Sequence, residues 1–328
     1  MKISLHFLGI ALSLLTAHAP LQSQGGGPGS EPVSKQDKDL GDIVKAEDIF
    51  KHVSKDKGFV TLKTKAKDDL PLTADIYPGK SAAATMILLF HQAGSSRGEY
   101  RKIAPRLQAK GYNCLSLDAR SGNGIRWGVT NVTSAFAVRR KLDQSYDAAR
   151  QDLERSLAWV REMEFTGPIV LWGSSYSAAL VLLMAQPKAD GKKITGVVTF
   201  SPGEYLAKKG VVTKAVPKIE VPIFMTCSRA ETQGTVGPFI KLMKNKRSVF
   251  FLPETGKHGS RFLTLTDSKE EVMKKDAMEA WKQVFAFLAD VAPPLPKKGA
   301  AKGKDAADGP QVPATQKSQQ PASRKGRD

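Results

Sequence analysis

The sequence holds few cysteines. Only two occur in 328 residues, Cys114 and Cys227, which excludes a small fold stapled by several disulfides. Neither cysteine has neighbours at the spacing of a metal site. Both lie in or beside apolar runs that predict strands, so two buried thiols are expected.

Long hydrophobic runs are also absent. The N-terminal run covers residues 5–17 and is shorter than the roughly 20 apolar residues of a membrane-spanning helix. Because Lys2 precedes it and small residues follow, residues 1–23 are predicted to be a cleaved secretory signal, with export to the periplasm or the medium. Cleavage after Ala17, Ala19 or Ser23 stays open, and a buried N-terminal helix is the alternative.

Acidic residues are fewer than basic ones. The sequence has 32 Asp and Glu and 50 Lys and Arg, which gives a net charge of +18. The lysines are scattered and rarely interleaved with aromatics, and no nucleic-acid-binding motif occurs, which favours a basic solvated surface over specific nucleic-acid binding. Residues 24–40 have the composition of a flexible linker. Residues 292–328, with almost no large apolar side chain, are predicted to be a disordered basic tail. A passive tail is the default interpretation, and weak binding of anionic envelope polymers is the alternative.

The segment between these ends alternates strand and helix patterns. Residues 58–67 and 72–77 predict an antiparallel pair. Continuous apolar runs of strand length follow, typical of strands buried on both faces; they cover residues 86–90, 114–117, 169–172, 197–200, 223–226 and 249–252. Helical patterns lie at 100–110, 146–162, 178–185, 239–244 and 277–288. This alternation predicts an α/β fold whose mainly parallel sheet is covered on both sides.

One strand runs directly into a serine turn. The run 169–172 is followed by Gly173, Ser174, Ser175, Tyr176 and Ser177 and then by an apolar helix, which is the context of the nucleophile elbow G-x-S-x-G. The strained turn requires small residues two before and two after the nucleophile. Ser175 meets this requirement, with Ser177 in place of the second glycine. Ser174 is rejected as nucleophile because Trp172 precedes it by two residues.

A serine nucleophile needs a base, which in turn needs an orienting acid. His258 follows the last predicted strand in a glycine-flanked loop, the place of the histidine in this chain order. Glu231 is the carboxylate in the turn after strand 223–226 and is the predicted acid, with Glu204 as the alternative. Asp118, close to Arg120, is predicted to be a structural brace paired with a nearby arginine.

The oxyanion of such a reaction needs two preset N–H donors. The backbone of Tyr176 is one predicted donor. The other is expected in the loop after strand 86–90, where Gln92 is the first choice and Ala93 the second. Gly94 allows this loop to turn back, and His91 is expected to hold the loop by hydrogen bonds.

Together these motifs resemble the α/β-hydrolase superfamily, and within it the dienelactone-hydrolase-like and serine-aminopeptidase-like esterase branch. The similarity covers about residues 58–290, so residues 41–291 are assigned to the hydrolase domain. The resemblance implies an eight-stranded, mostly parallel sheet with serine, acid and histidine at its carboxyl edge. Two departures stand out: dienelactone hydrolases proper use a cysteine nucleophile, and an aspartate is commoner than Glu231 as the acid.

The predicted function is therefore an exported serine hydrolase that cleaves a small ester through an acyl-enzyme on Ser175, without metal or organic cofactor. A peptidase or amidase on the same fold and a non-catalytic envelope-binding protein are the alternatives. Residues 122–142 are long enough to form a small lid. Four arginines suggest an anionic substrate, namely Arg126, Arg139, Arg140 and Arg229. The sequence leaves the oligomeric state open.

Overall fold

A computed structural model describes residues 44–54, 56–122, 124–187, 194–293 and 295. The predicted signal and linker, and nearly all of the basic tail, lie outside these residues and stay predictions. Within the described ranges, none of the helices combines the length and apolarity that a bilayer span requires.

An eight-stranded sheet forms the centre of the fold, in the order β1-β2-β4-β3-β7-β8-β9-β10. Its strands are β1 Val60–Lys65, β2 Pro71–Tyr77, β3 Met86–Phe90, β4 Asn113–Leu117, β7 Ile169–Ser174, β8 Ile194–Phe200, β9 Ile223–Thr226 and β10 Val249–Phe251. Strand β2 runs antiparallel to β1 and to β4, and all other neighbours are parallel. The expected eight-stranded, mostly parallel sheet is therefore present.

Helices cover both faces of the sheet. They are α1 Ala46–His52, α2 Ala104–Ala109, α3 Val132–Arg139, α4 Tyr146–Glu162, α5 Tyr176–Met184, α6 Val211–Ala215, α7 Gly237–Leu242 and α8 Glu271–Val291. Alternate residues of β3 belong to two separate cores, with Leu88 on the side of α4 and α5 and Leu89 on the side of α2 and α8. The continuous apolar runs in the sequence follow from burial on both faces.

Several short elements were not predicted. A hairpin of β5 Ile125–Arg126 and β6 Val129–Thr130, together with α3, occupies the segment expected to be a lid. Short 3-10 helices span Arg97–Tyr100, Val216–Lys218 and Arg229–Glu231, a longer 3-10 helix spans Ser260–Asp267, and a short π-helix spans Thr232–Val236. Both cysteines are buried and free. Cys114 lies on β4 and Cys227 follows β9, and three strands separate them.

Candidate active site

Ser175 occupies a strained turn between β7 and α5. Its backbone has φ 61° and ψ −122°, a conformation that costs an L-residue free energy and is held only by its surroundings. The Ser175 N–H donates to Phe200 O over 2.8 Å, which ties the turn to the end of β8. A Cβ on Gly173 would lie 2.5 Å from Cα of Ala178, so glycine is required there.

Ser177 stands where the elbow motif usually has its second glycine. Its hydroxyl accepts from Ser174 N–H over 2.8 Å and donates to Phe90 O over 2.7 Å. The side chain is fully buried. The serine thus fits the turn and adds a link from β7 to β3 that glycine would lack.

His258 and Glu231 meet at the carboxyl edge of the sheet. Nδ1 of His258 lies 2.6 Å from Oε1 of Glu231, so an Nδ1–H donates to the carboxylate and leaves Nε2 as an acceptor. The histidine loop lies over the end of β7, because Ser260 N–H donates to Ser174 Oγ over 2.8 Å. Ser174, the rejected nucleophile, is therefore engaged in holding this loop next to Ser175.

Glu231 is held as a carboxylate. Burial alone would raise its pKa, but hydrogen bonds from His258, Ser228 and Ser201 outweigh burial and lower the pKa to about 2. The backbone N–H and hydroxyl of Ser228 each lie 2.8 Å from Oε2. Glu204, the alternative acid, instead accepts the N–H and hydroxyl of Thr213, both over 2.6 Å, at the start of α6.

The loop that carries His258 is anchored from α8. The Asp276 carboxylate accepts the N–H of Thr255 over 2.7 Å and the N–H of Glu254 over 3.0 Å. Gly259, directly after His258, has φ 76° and ψ −179°, a region open essentially to glycine alone. The loop is thus rigidly shaped on both sides of the imidazole.

The oxyanion loop differs from the first expectation. Gln92 N–H donates to Oε2 of the buried Glu99 over 2.9 Å, so it is not free to bind a substrate oxygen. Ala93 N–H has no acceptor within the described part of the chain. The expected second donor is therefore revised from Gln92 to Ala93, the second choice. Tyr176 N–H, the first donor, likewise has no acceptor among the described residues and opens α5.

Two further expectations about this loop can be compared with the structure. His91 Nε2 accepts Ala119 N–H over 3.0 Å, and Nδ1 lies 2.8 Å from Gln92 O, so this imidazole holds the loop as predicted. Asp118 pairs with Arg97 over 2.6 Å. Arg120 pairs instead with Asp152 over 2.7 Å. Asp118 is thus a structural brace. Its partner is Arg97, which follows the loop after β3, and not Arg120, which is close to it in sequence.

The segment predicted to be a lid, residues 122–142, packs on the loop that follows β3. Its hairpin leaves Ile125 and Trp127 exposed at 69% and 46%. The four arginines that suggested an anionic substrate all have partners in the chain. Arg126 lies over Trp127, Arg139 lies over Phe136, Arg140 donates to Asp69 O and Arg229 donates to Glu254 O. These contacts weaken the argument for an anionic substrate.

Some polar residues at the site were not singled out in the sequence. Ser201 and Tyr205 follow β8; the Tyr205 hydroxyl donates to Ser201 O over 3.1 Å. Burial and the Glu231 charge raise the pKa of Tyr205, and the Ser175 hydroxyl opposes that rise. Glu99 and Asp276 lie on other elements. The available signal for Ser201 and Tyr205 was their position after a strand that neighbours the nucleophile strand.

The chain is similar in sequence to one protein family and in fold to several esterases. The model of the family described as serine aminopeptidase, S33, matches residues 81–267. A Pyrococcus furiosus esterase is 19% identical over 72% of this chain and 94% of its own, with a TM-score of 0.52. Dienelactone hydrolase from Anabaena variabilis is 13% identical over 70% and 97%, with a TM-score of 0.51. Thermogutta terrifontis esterase 2 is 14% identical over 73% and 97%, with a TM-score of 0.50. A search of curated proteins finds no match.

Proposed function

Because the chain belongs to the serine aminopeptidase S33 family of α/β-hydrolases, and is thus a serine hydrolase, we propose that it cleaves carboxylic esters through an acyl-enzyme on Ser175. The observation that carries the proposal is the hydrogen bond of 2.6 Å between His258 and Glu231, placed beside a serine in a strained elbow with φ 61°. That arrangement supplies a nucleophile, a base and an orienting acid.

The mechanism follows from the atoms at the site. Nε2 of His258 takes the proton of the Ser175 hydroxyl as Oγ attacks the acyl carbon, and Glu231 stabilises the imidazolium that forms. The N–H groups of Tyr176 and Ala93 bind the oxyanion. The protonated histidine returns its proton to the leaving alcohol. Water, activated by the same histidine, then releases the acid and restores Ser175.

The family description makes an aminopeptidase the second candidate. An aminopeptidase must bind the free amine of its substrate, usually with a carboxylate. Glu204 and Glu231 already accept hydrogen bonds from the chain through both of their oxygens. Glu99 accepts through one oxygen only, but its side chain is buried, at 1% exposure. This favours a neutral ester over a peptide with a charged amino end.

A fluorophosphonate probe on the full chain tests the proposal. We expect labelling of the parent, none in Ser175→Ala and much slower labelling in His258→Ala. Ser156→Ala is the matched control, because its hydroxyl bonds only within α4, to Leu153 O. Labelling that survives Ser175→Ala would refute the assignment. A panel of short-chain p-nitrophenyl esters against aminoacyl anilides then separates the two candidates.

We also propose export through residues 1–23 and weak binding of anionic polymers by residues 292–328, as a basic composition favours. N-terminal sequencing of the exported protein checks the first proposal. Retention of the parent, but not of a chain lacking 292–328, on an anionic polymer column checks the second. Recovery of the uncleaved chain from the cytoplasm would contradict export.

A further inference from the structure

The last residue of β8 and the residue after it contact Ser175, Glu231 and the neighbour of His258. Phe200 O accepts the N–H of Ser175. The next residue, Ser201, is fully buried, and its hydroxyl lies 2.9 Å from Oε2 of Glu231. The same hydroxyl accepts the N–H of Gly259, the neighbour of His258, over 3.1 Å. One serine oxygen therefore joins the turn that carries the acid to the loop that carries the base.

Ser201 holds this place at a conformational cost. Its φ is 53°, a left-handed value that is uncommon for a residue with a side chain. Its N–H donates to Thr226 O over 2.8 Å, and its carbonyl accepts the Tyr205 hydroxyl. All of its polar groups are thus used, and its hydroxyl contacts the turn after β9 and the loop after β10.

The directions of these hydrogen bonds fix the proton of Ser201. Because Gly259 N–H can only donate, the serine oxygen accepts there, and its single proton goes to Glu231. Removing the hydroxyl would take one of three donors from Oε2 of Glu231. It would also leave the buried Gly259 N–H without this acceptor, which costs free energy. Both changes act on the position of His258.

We propose that Ser201 is a positioning residue of the catalytic site, whose hydroxyl fixes Glu231 and the His258 loop relative to each other. The inference rests on the proposed function for the roles of Glu231 and His258. Ser201 touches neither the substrate nor Ser175 in this scheme, and it acts through the acid and the base.

Ser201→Ala in the full chain is the direct test. Alanine keeps the Cβ, so the strain at φ 53° is unchanged and only the hydroxyl is lost. We expect kcat on a short-chain ester to fall roughly ten- to hundredfold with little change in KM, as for the loss of a hydrogen bond to a charged group. Ser201→Gly, which relieves the strain, is the second variant if the alanine protein folds poorly.

Thr199→Val is the matched control. It removes a buried hydroxyl two residues earlier on β8, whose bond of 3.1 Å goes to Phe224 O away from the triad. A general loss of stability would affect both variants, whereas loss of positioning affects only Ser201→Ala. In a Glu231→Gln background, Ser201→Ala should cost far less activity than in the parent, because the two residues act as a unit.

A spectroscopic measurement separates this inference from the proposed function. We expect the proton between His258 and Glu231 to give a far-downfield 1H NMR signal that shifts or vanishes in Ser201→Ala and persists in Thr199→Val. An unchanged signal, or a kcat equal to that of Thr199→Val, overturns the positioning role. Failure of Ser175→Ala to abolish esterase activity overturns the proposed function instead, and the NMR comparison still decides the role of Ser201.

Discussion

Nδ1 of His258 and Oε1 of Glu231 are separated by 2.6 Å, although their positions in the chain are 27 apart. The first prediction concerns this pair. Glu231→Gln should lower kcat by roughly 10³- to 10⁴-fold, the cost of losing the orienting acid of a triad. The amide nitrogen of the new glutamine is a donor, and it would face another donor, either the imidazole Nδ1–H or the donors of Ser228. Glu204→Gln, a carboxylate change at α6, should retain activity in the same steady-state assay, and comparable losses would contradict the assignment.

The pH dependence of stability follows from the same carboxylate. Its pKa in the folded chain, about 2, lies below the ordinary value of 4.5. The free energy that the ionised Glu231 contributes to the stability of the folded chain is therefore complete above about pH 4.5. It is lost as the pH falls towards 2 and the carboxylate is protonated. Urea unfolding of the parent and Glu231→Gln should give a constant difference in unfolding free energy at neutral pH and a shrinking difference below pH 4.5. A difference that grows on acidification would contradict the sign.

Glu99 provides a test of the oxyanion loop. Its Oε2 accepts Gln92 N–H, so Glu99→Ala should release the loop and leave a buried donor unpaired. We expect kcat to fall roughly tenfold or more, because donors must be placed in advance to stabilise the oxyanion. Glu99→Gln keeps a carbonyl acceptor and should stay within a few-fold of the parent. Equal activity of the alanine and parent proteins would show that the loop needs no such support.

Gly259 and Gly210 form a matched pair of glycines. Both have φ near 77°, but a Cβ on Gly259 would lie 2.7 Å from Ser174 Oγ, whereas a Cβ on Gly210 meets nothing within 4 Å. Gly210→Ala should cost about 1–2 kcal/mol of unfolding free energy, from its left-handed backbone alone. Gly259→Ala adds a clash and a ψ of −179°, against 0° at Gly210, that essentially only glycine adopts, and it should also abolish most ester hydrolysis. Thermal unfolding and turnover of both variants check this, and similar values would refute it.

The ion pair of Arg120 and Asp152 predicts a large effect on stability. Both side chains are buried, at 1% and 0% exposure, so Asp152→Ala leaves the buried guanidinium with only the partly exposed Asp68 as a charged partner and should cost about 3 kcal/mol. Asp68, the second partner of Arg120, is 32% exposed, and Asp68→Ala should cost about 1 kcal/mol or less. Urea unfolding monitored by tryptophan fluorescence measures both, and a larger loss for Asp68→Ala would contradict the burial argument.

Much of this fold is encoded locally in the sequence. The run at residues 86–90 matches β3, and 223–226 matches β9, because strands buried on both faces need continuous apolar residues. The turn at Ser175 was predictable for a similar reason, since a strained elbow restricts the size of its neighbours. His258 and Glu231 could be chosen from chain order, and the structure brings them together.

The remaining features depend on contacts between distant segments. Gln92 and Ala93 were both candidates, and only the placement of Glu99 on a 3-10 turn seven residues later distinguishes them. The partner of Asp118 could not be read from its neighbour Arg120, because Arg97 reaches it from another loop. The position of Ser201 after a strand indicates only that it lies near the site, and its role depends on the segments after β8, β9 and β10 meeting.

The serine that replaces glycine in the elbow has a consequence for how the enzyme works. The hydroxyl of Ser177 bridges Ser174 N–H and Phe90 O. The two proposed oxyanion donors, the N–H groups of Tyr176 and Ala93, follow the strands that end at these residues. We therefore expect their spacing to be set when the sheet forms, so that the reorganisation cost of the reaction is met during folding rather than in each turnover.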